Sequence, residues 1–252
     1  MIKIYYSKTK EEAGVKAAKS IADTINNTKG AVLGLATGSS PLDTYAELIK
    51  MHREGRVSFE SVKTVNLDEY VGLRPENDQS YAYFMKANLF DEIDINQQNT
   101  NIPNGLAEDY EAECERYDRL IESLGGIDVQ LLGIGLNGHI GFNEPADIFS
   151  EGTMLVNLSD STIKANSRFF DDIADVPTKA LSMGISQIMS AKKIILLANG
   201  EQKADILEKS LFGEITPLVP ASILQSAADV EVYADEQALS SIIRLHNESV
   251  IR

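Results

Sequence analysis

Two side chains capable of proton transfer, His139 and Glu144, stand five residues apart in Gly133-Ile-Gly-Leu-Asn-Gly-His-Ile-Gly-Phe-Asn-Glu-Pro145. Imidazole both takes up and releases a proton near neutral pH, and a carboxylate beside it can orient the ring or set its pKa. A histidine held structurally in a turn fits the same residues. The stretch holds four glycines, which permit a tight turn and close approach of backbone N–H groups to a ligand. Gly133-x-Gly-x-x-Gly138 matches the dinucleotide fingerprint formally, with Asp160 near the distance of a ribose-binding acid. That reading needs a helix opening at Gly138, where Gly141 and Pro145 stand instead, so a nicotinamide site is set aside.

Asp68 directly follows the apolar run Val62-Lys-Thr-Val-Asn-Leu67. A carboxylate at the end of a buried strand, partly withdrawn from water, can be tuned as a general base. An Asp-Glu pair is also an ordinary turn or helix cap, which the local sequence favours. Thr37-Gly-Ser-Ser-Pro41 lies between a strand pattern and a helix pattern, the position of a phosphate cradle built from backbone N–H groups, the helix dipole and hydroxyls. A plain turn with Ser39 or Ser40 as the helix N-cap fits equally well. Arg168 and Lys203 are candidate partners for the same anion. His52 and His246 sit among charged residues in helical patterns and read as surface groups. No His/Cys/Asp/Glu cluster has metal-ligand spacing, so neither metal nor cofactor is expected.

The elements that must position these groups follow from periodicity. Strands are expected over Ile2–Tyr6, Ala31–Ala36, Val62–Leu67, Val129–Leu132, Lys193–Ala198 and Val230–Tyr233. Helices are expected over Thr9–Ile25, Leu42–His52, Tyr81–Phe90, Ala107–Leu124, Ser161–Phe170, Gly200–Leu211 and from Glu236 onward. Alternating strands and helices predict an α/β fold, a Rossmann-like doubly wound and mainly parallel sheet with helices on both faces. No repeat or Pro/Ser-rich linker divides the chain, so residues 1–252 read as a single domain with a candidate lid within 150–170. In such sheets ligands lie beyond the carboxyl ends of the strands. Thr37–Pro41, Asp68–Tyr70, Gly133–Pro145 and Asn199–Lys203 are therefore expected to meet.

The net charge of -15 argues against nucleic-acid or anionic-membrane partners. An anionic ligand would need cations concentrated at its site. The single Cys114 has acidic neighbours, which gives no reason to expect a reactive thiolate and fits a reducing, cytoplasmic setting. No window has the apolar length of a membrane span, and the start of the chain has no signal-peptide layout.

Leu35-Ala-Thr-Gly-Ser-Ser-Pro41, Asn66-Leu-Asp-Glu-Tyr-Val-Gly72, Gly135-Leu-Asn-Gly-His-Ile-Gly-Phe-Asn-Glu-Pro145 and Ala165-Asn-Ser-Arg-Phe-Phe170 occur in one order along the chain. On these motifs the sequence resembles the glucosamine-6-phosphate deaminase family over nearly its whole length. The resemblance implies conversion of glucosamine 6-phosphate and water to fructose 6-phosphate and ammonia, without a metal. It places the base that moves a proton between C2 and C1 through an enolamine on Asp68. It places the ring-opening histidine on His139, supported by Glu144, and the phosphate on Gly38, Ser39, Ser40, Arg168 and Lys203. The glycines of 133–145 then make room for a sugar ring beside His139.

Two departures from the family pattern stand out. Many members carry aspartate two residues before the histidine, where this chain has Asn137, which can orient an imidazole but brings no charge. Hexameric members activated by N-acetylglucosamine 6-phosphate carry basic residues after Asn-Glu-Pro. Here Ala146-Asp-Ile-Phe-Ser-Glu-Gly-Thr-Met-Leu-Val156 has no Lys or Arg, and the chain is shorter. A monomer without that activation is expected. The rivals are a 6-phosphogluconolactonase and a non-catalytic sugar-phosphate sensor. The acid pair disfavours the first, and the absence of a helix-turn-helix before Met1-Ile-Lys-Ile disfavours the second.

Overall fold

Strands buried on both faces read as largely apolar runs, and such runs form the middle of a sheet. The structure, a computed structural model, describes residues 1–252 except 160–162, 164–171, 173–175 and 247. Its strands are β1 (Ile2–Ser7), β2 (Val32–Leu35), β3 (Lys63–Asn66), β4 (Asp68–Tyr70), β5 (Thr100–Asn101), β6 (Val129–Gly133), β7 (Met154–Asn157), β8 (Lys179–Ser182), β9 (Lys193–Ala198) and β10 (Val230–Asp235). The helices used below are α1 (Lys10–Asn27), α2 (Leu42–Arg53), α3 (Tyr81–Asn88), α4 (Tyr110–Ser123), α5 (Ile185–Met189), α6 (Ala204–Phe212) and α7 (Glu236–His246).

Seven strands form one sheet in the order β1-β10-β9-β6-β2-β3-β5, every pair parallel. Side chains alternate across it. Val32, Val65, Leu132, Leu196 and Val232 point to one face and pack with Leu207 and Leu211 of α6, Leu239 and Ile242 of α7 and Ile121 of α4. Leu33, Leu35, Leu131, Ile195 and Leu197 point to the other and pack with Ala17 and Ile21 of α1, Tyr45 and Leu48 of α2 and Met85 of α3. Covering both faces removes a large apolar area from water, the main favourable contribution to folding. Among the described residues, no helix is long and apolar enough to cross a membrane.

From β2 the chain moves outward through β3 and β5, then returns to the other side of β2 as β6. The switch point of the sheet therefore falls between β2 and β6. Those two strands pair only at Leu33↔Val129 and Gly34↔Gln130, whereas β6 stays paired to β9 as far as Gly133↔Leu197. Beyond Gly34 the two strands part, which opens a crevice at their carboxyl ends.

A second sheet was not anticipated from the sequence. β4, β8 and β7 pair antiparallel, with Asp68 opposite Ser182 and Met154 also opposite Ser182. Its strands have three or four residues, too few for an alternation to register. Asp68-Glu69-Tyr70 is thus a strand and not the turn or cap that its composition favours, because pairing with β8 satisfies its backbone. The short β5 and α5 were also not expected. The predicted helix Ser161–Phe170, Asp160 and most of the candidate lid lie outside the described residues. The helix expected from Ala107 starts at Tyr110, because Asp109 caps it by accepting the Ala112 N–H.

Candidate active site

The crevice is a cavity of about 830 Å³, large enough for a small metabolite. Ser39, Asp68, His139 and Lys203 all line it, so the four strand-end loops do meet. Gly38, Ser40 and Asn137 line it too. Arg168 lies outside the described residues. Glu144 is not on the cavity wall but stands one bond behind it.

In the loop after β2, Thr37 bonds Tyr81 while the two serines keep their hydroxyls free among the described residues. Gly38 adopts φ +87°, a conformation that L side chains rarely take. The expectation of a serine cap is corrected: Pro41 occupies the N-cap position of α2 and there is no side-chain cap bond. Proline fixes its own φ and brings α2 into register through the Tyr45 N–H to Pro41 O bond. The hydroxyls of Ser39 and Ser40 make no hydrogen bond to described residues, which leaves them for a ligand at the start of α2.

Asp68 is 7% exposed and receives no hydrogen bond from described residues. Burial, reinforced by the adjacent Glu69 charge, pushes its carboxyl up to about 8. Glu69 is also raised by burial, although it accepts N–H groups of Tyr70, Tyr81 and Ala82 at 2.8–2.9 Å. Those bonds dock the first turn of α3 beside β4 and set Tyr81 on the cavity wall. Tyr81 stacks on Phe142 with ring centroids 6.3 Å apart and lies 4.6 Å from Tyr70, forming an aromatic side to the site. Gly141, at φ +57°, sits over Asp68: a Cβ there would lie 3.2 Å from Ser182 Oγ and 3.8 Å from Asp68 Oδ2.

Behind β6 no helix opens at Gly138, as the sequence reading required when it set the dinucleotide site aside. The loop instead folds His139 back over Gly135, with the Gly135 N–H on His139 O at 2.9 Å. His139 Nδ1 lies 2.8 Å from Asn137 Oδ1, and Asn137 Nδ2 donates to Glu144 Oε2 at 2.5 Å. Glu144 Oε1 is itself 3.4 Å from Nδ1. A carboxylate only accepts, so the amide turns its NH₂ to Glu144 and its oxygen to the ring, which fixes the proton on Nδ1. Nε2 is left as the proton acceptor. Gly135 is needed for this fold-back, since a Cβ would meet three imidazole atoms at 2.3–2.5 Å. The expectation that the glycines clear space for a sugar is therefore revised here, for Gly135 clears space for His139.

Lys203 precedes α6 and points its Nζ to Ile134 O at 2.6 Å; burial lowers its pKa. Asp235 accepts the Gly200 N–H and so holds the Asn199–Lys203 loop against the sheet. Asn199 and Gln202 join the wall as well. Their place in a strand-end loop was a usable signal, whereas Tyr81 read only as the start of a helix, Phe142 was not singled out within its motif, and Lys10 carried no signal. Away from the site, His52 and His246 are half-buried at the surface, where His52 bonds Val57 O and His246 bonds Glu208. Cys114 is buried and its thiol pushed up to about 11, in line with an unreactive thiol.

Residues after Pro145 line a second cavity of about 430 Å³, walled by Ile148, Phe149, Met154, Val156 and three prolines, with no Lys or Arg on its described lining.

Residues 7–233 match the model of a family described as glucosamine-6-phosphate isomerases/6-phosphogluconolactonase. A glucosamine-6-phosphate deaminase of Lachnoclostridium phytofermentans is 59% identical over 217 residues, covering 86% of this chain and 92% of that protein. One from Clostridium perfringens is 52% identical over 237 residues, covering 94% and 98%. A solved monomeric glucosamine-6-phosphate deaminase superposes with a TM-score of 0.92 at 48% identity, covering 95% of this chain and 99% of that one. A 6-phosphogluconolactonase from Thermotoga maritima superposes at 0.73 with 18% identity, covering 94% and 100%, which is a likeness of fold.

Proposed function

The chain belongs to the family of glucosamine-6-phosphate isomerases and 6-phosphogluconolactonases, and from that premise we propose that it converts glucosamine 6-phosphate and water to fructose 6-phosphate and ammonia. The observation that carries the site assignment is the pairing, in one cavity, of a buried carboxyl tuned to about 8 with an imidazole whose tautomer is fixed from behind.

The pyranose hides the C1 aldehyde that makes the C2 proton acidic, so ring opening comes first. His139 Nε2 takes the proton of the anomeric hydroxyl and returns it to the ring oxygen. Asn137 and Glu144 keep Nδ1 protonated and the ring aimed at the cavity. The amide carries no charge, so the imidazolium formed in passing is stabilised by Glu144, 3.4 Å away. Asp68 then removes the C2 proton to give the enolamine and delivers it to C1. The resulting ketimine adds water and loses ammonia. A carboxylate with a raised pKa is a stronger base for this transfer than an exposed one, and is matched to neutral pH. The phosphate docks on the Gly38–Ser40 loop at the N-terminal end of α2, with Lys203 as counter-charge. Arg168 is proposed for the same anion from the sequence alone.

The fit of a monomer rests on the second cavity, mainly apolar and with no Lys or Arg on its described lining, and on the monomeric relative. Incubating the protein with glucosamine 6-phosphate should release ammonia and fructose 6-phosphate in equal amounts. Hydrolysis of 6-phosphogluconolactone without ammonia release from the amino sugar would overturn the assignment.

A further inference from the structure

The cavity wall holds a second cation that the mechanism above leaves idle. Lys10 lines it together with Gly38, Ser39 and Ser40. Its Nζ stands 3.1 Å from Asp43 Oδ2, with the lysine side chain 36% exposed.

Helix energetics do not account for that lysine. Thr9 caps α1 by accepting the Glu12 N–H, so Lys10 is the first helical residue. A cation there faces the positive end of the helix dipole, an adverse position that the following Glu11 and Glu12 suit better. Asp43 has the opposite setting, in the first turn of α2, where negative charge is favoured. Its Oδ2 is buried and accepts no well-directed hydrogen bond, and Lys10 is its ion-pair partner among the described residues. Without that ammonium, a carboxylate would stand uncompensated in the first turn of the helix whose start receives the phosphate. In a chain of net charge -15, such a carboxylate adds to the repulsion that an incoming dianion must overcome.

We propose that Lys10 is a positioning and specificity residue for the phosphate end of the substrate, anchored by Asp43 at the cradle and shared between that carboxylate and the bound dianion. The proposal rests on the reading of this cavity as a sugar-phosphate site. The ammonium has three donors on a flexible stem, so it serves both partners without breaking the first contact. It supplies the cradle with a positive charge from the opposite side of the sheet to Lys203, since α1 packs on the face that α6 does not.

The test compares wild type, Lys10→Met, Lys10→Arg and Asp43→Asn at fixed ionic strength. The readouts are kcat and KM for glucosamine 6-phosphate, and the Kd of inorganic phosphate by calorimetry. Lys10→Met should raise KM and the phosphate Kd together, each by roughly five- to twentyfold, the worth of one charge-assisted contact. kcat should stay within about twofold, and Lys10→Arg should recover most of the loss. Asp43→Asn keeps the cation and removes the nearby negative charge, so phosphate should bind as tightly as in wild type or more so. A strap that merely joins α1 to α2 would lose affinity in Lys10→Met and Asp43→Asn alike, and that result overturns the proposal. So does an unchanged phosphate Kd in Lys10→Met, or a wild type that takes up no phosphate. A wild type that binds phosphate through Lys10 but releases no ammonia would fail the functional reading and leave this one standing.

Discussion

Asp68, the proposed base, has the most unusual surroundings in the candidate site, and the proposed role draws on them. Its carboxyl is raised first by burial and then by Glu69, so a large fraction is protonated at neutral pH in the free protein. The base must be ionised to act, and kcat/KM reports the free enzyme. A pH series should therefore show kcat/KM rising through an inflection near 8; a profile flat from pH 6 to 9 would remove Asp68 from the role. Asp68→Asn should lower kcat by roughly two to four decades while substrate still binds. Stability should move the other way. Folding lifts this carboxyl above the roughly 3.9 of an unfolded aspartate, so the folded state is favoured below that pH. The advantage is lost as pH climbs to about 8. The Tm of Asp68→Asn relative to wild type should accordingly grow from pH 4 to 8 and then level off, read by thermal melts across that range.

At the scale of elements, the loop behind β6 aims the imidazole by bringing backbone against side chain. Gly133 and Gly135 are two residues apart and equally plain in sequence, yet their surroundings differ. A Cβ at Gly133 meets Ser40 Oγ at 3.3 Å, a contact that a few tenths of an ångström relieves. At Gly135 it would overlap the ring of His139. Gly135→Ala should thus lose about a hundredfold or more in kcat/KM with an unchanged far-UV spectrum, because a displaced catalytic group costs that much. Gly133→Ala should stay within about tenfold. Comparable activity in both variants would mean that His139 does not depend on the fold-back. The small antiparallel sheet works in the same way for the base: pairing Asp68 with Ser182 fixes the direction of its side chain, and Glu69 fastens α3 beside it.

For the whole molecule, the prediction concerns assembly and control. The segment after Pro145 builds an apolar cavity without a described cation, so an anionic effector finds no counter-charge there. Sedimentation velocity should give one species near 27.6 kDa across micromolar concentrations. Substrate saturation should be hyperbolic and indifferent to N-acetylglucosamine 6-phosphate. A sigmoidal curve that the effector straightens would contradict both expectations. The negative charge of the chain belongs to this scale too, since a phosphate bound as proposed would depend on a few local cations.

The sequence by itself determined the parallel sheet and the four loops that meet at the candidate site. Buried strands leave largely apolar runs, with single exceptions such as Gly34 and Glu231, and glycine, serine and acidic residues cluster where the strands end. Asp68, His139, Glu144 and the Ser39–Ser40 turn were legible on that ground. Only the tertiary structure decided the rest. Strand order, which no local pattern encodes, put the loops after β2, β6 and β9 around one crevice and brought Lys10 from the start of α1 to its wall. The sequence favoured a turn at Asp68 because a three-residue strand has no periodicity, and long-range pairing with β8 overrode that preference. Asn137 was legible as an uncharged group that could orient the imidazole, but the geometry by which it does so was not. The bonds to Glu144 and His139 supply it, because an amide held between a carboxylate and an imidazole can face only one way.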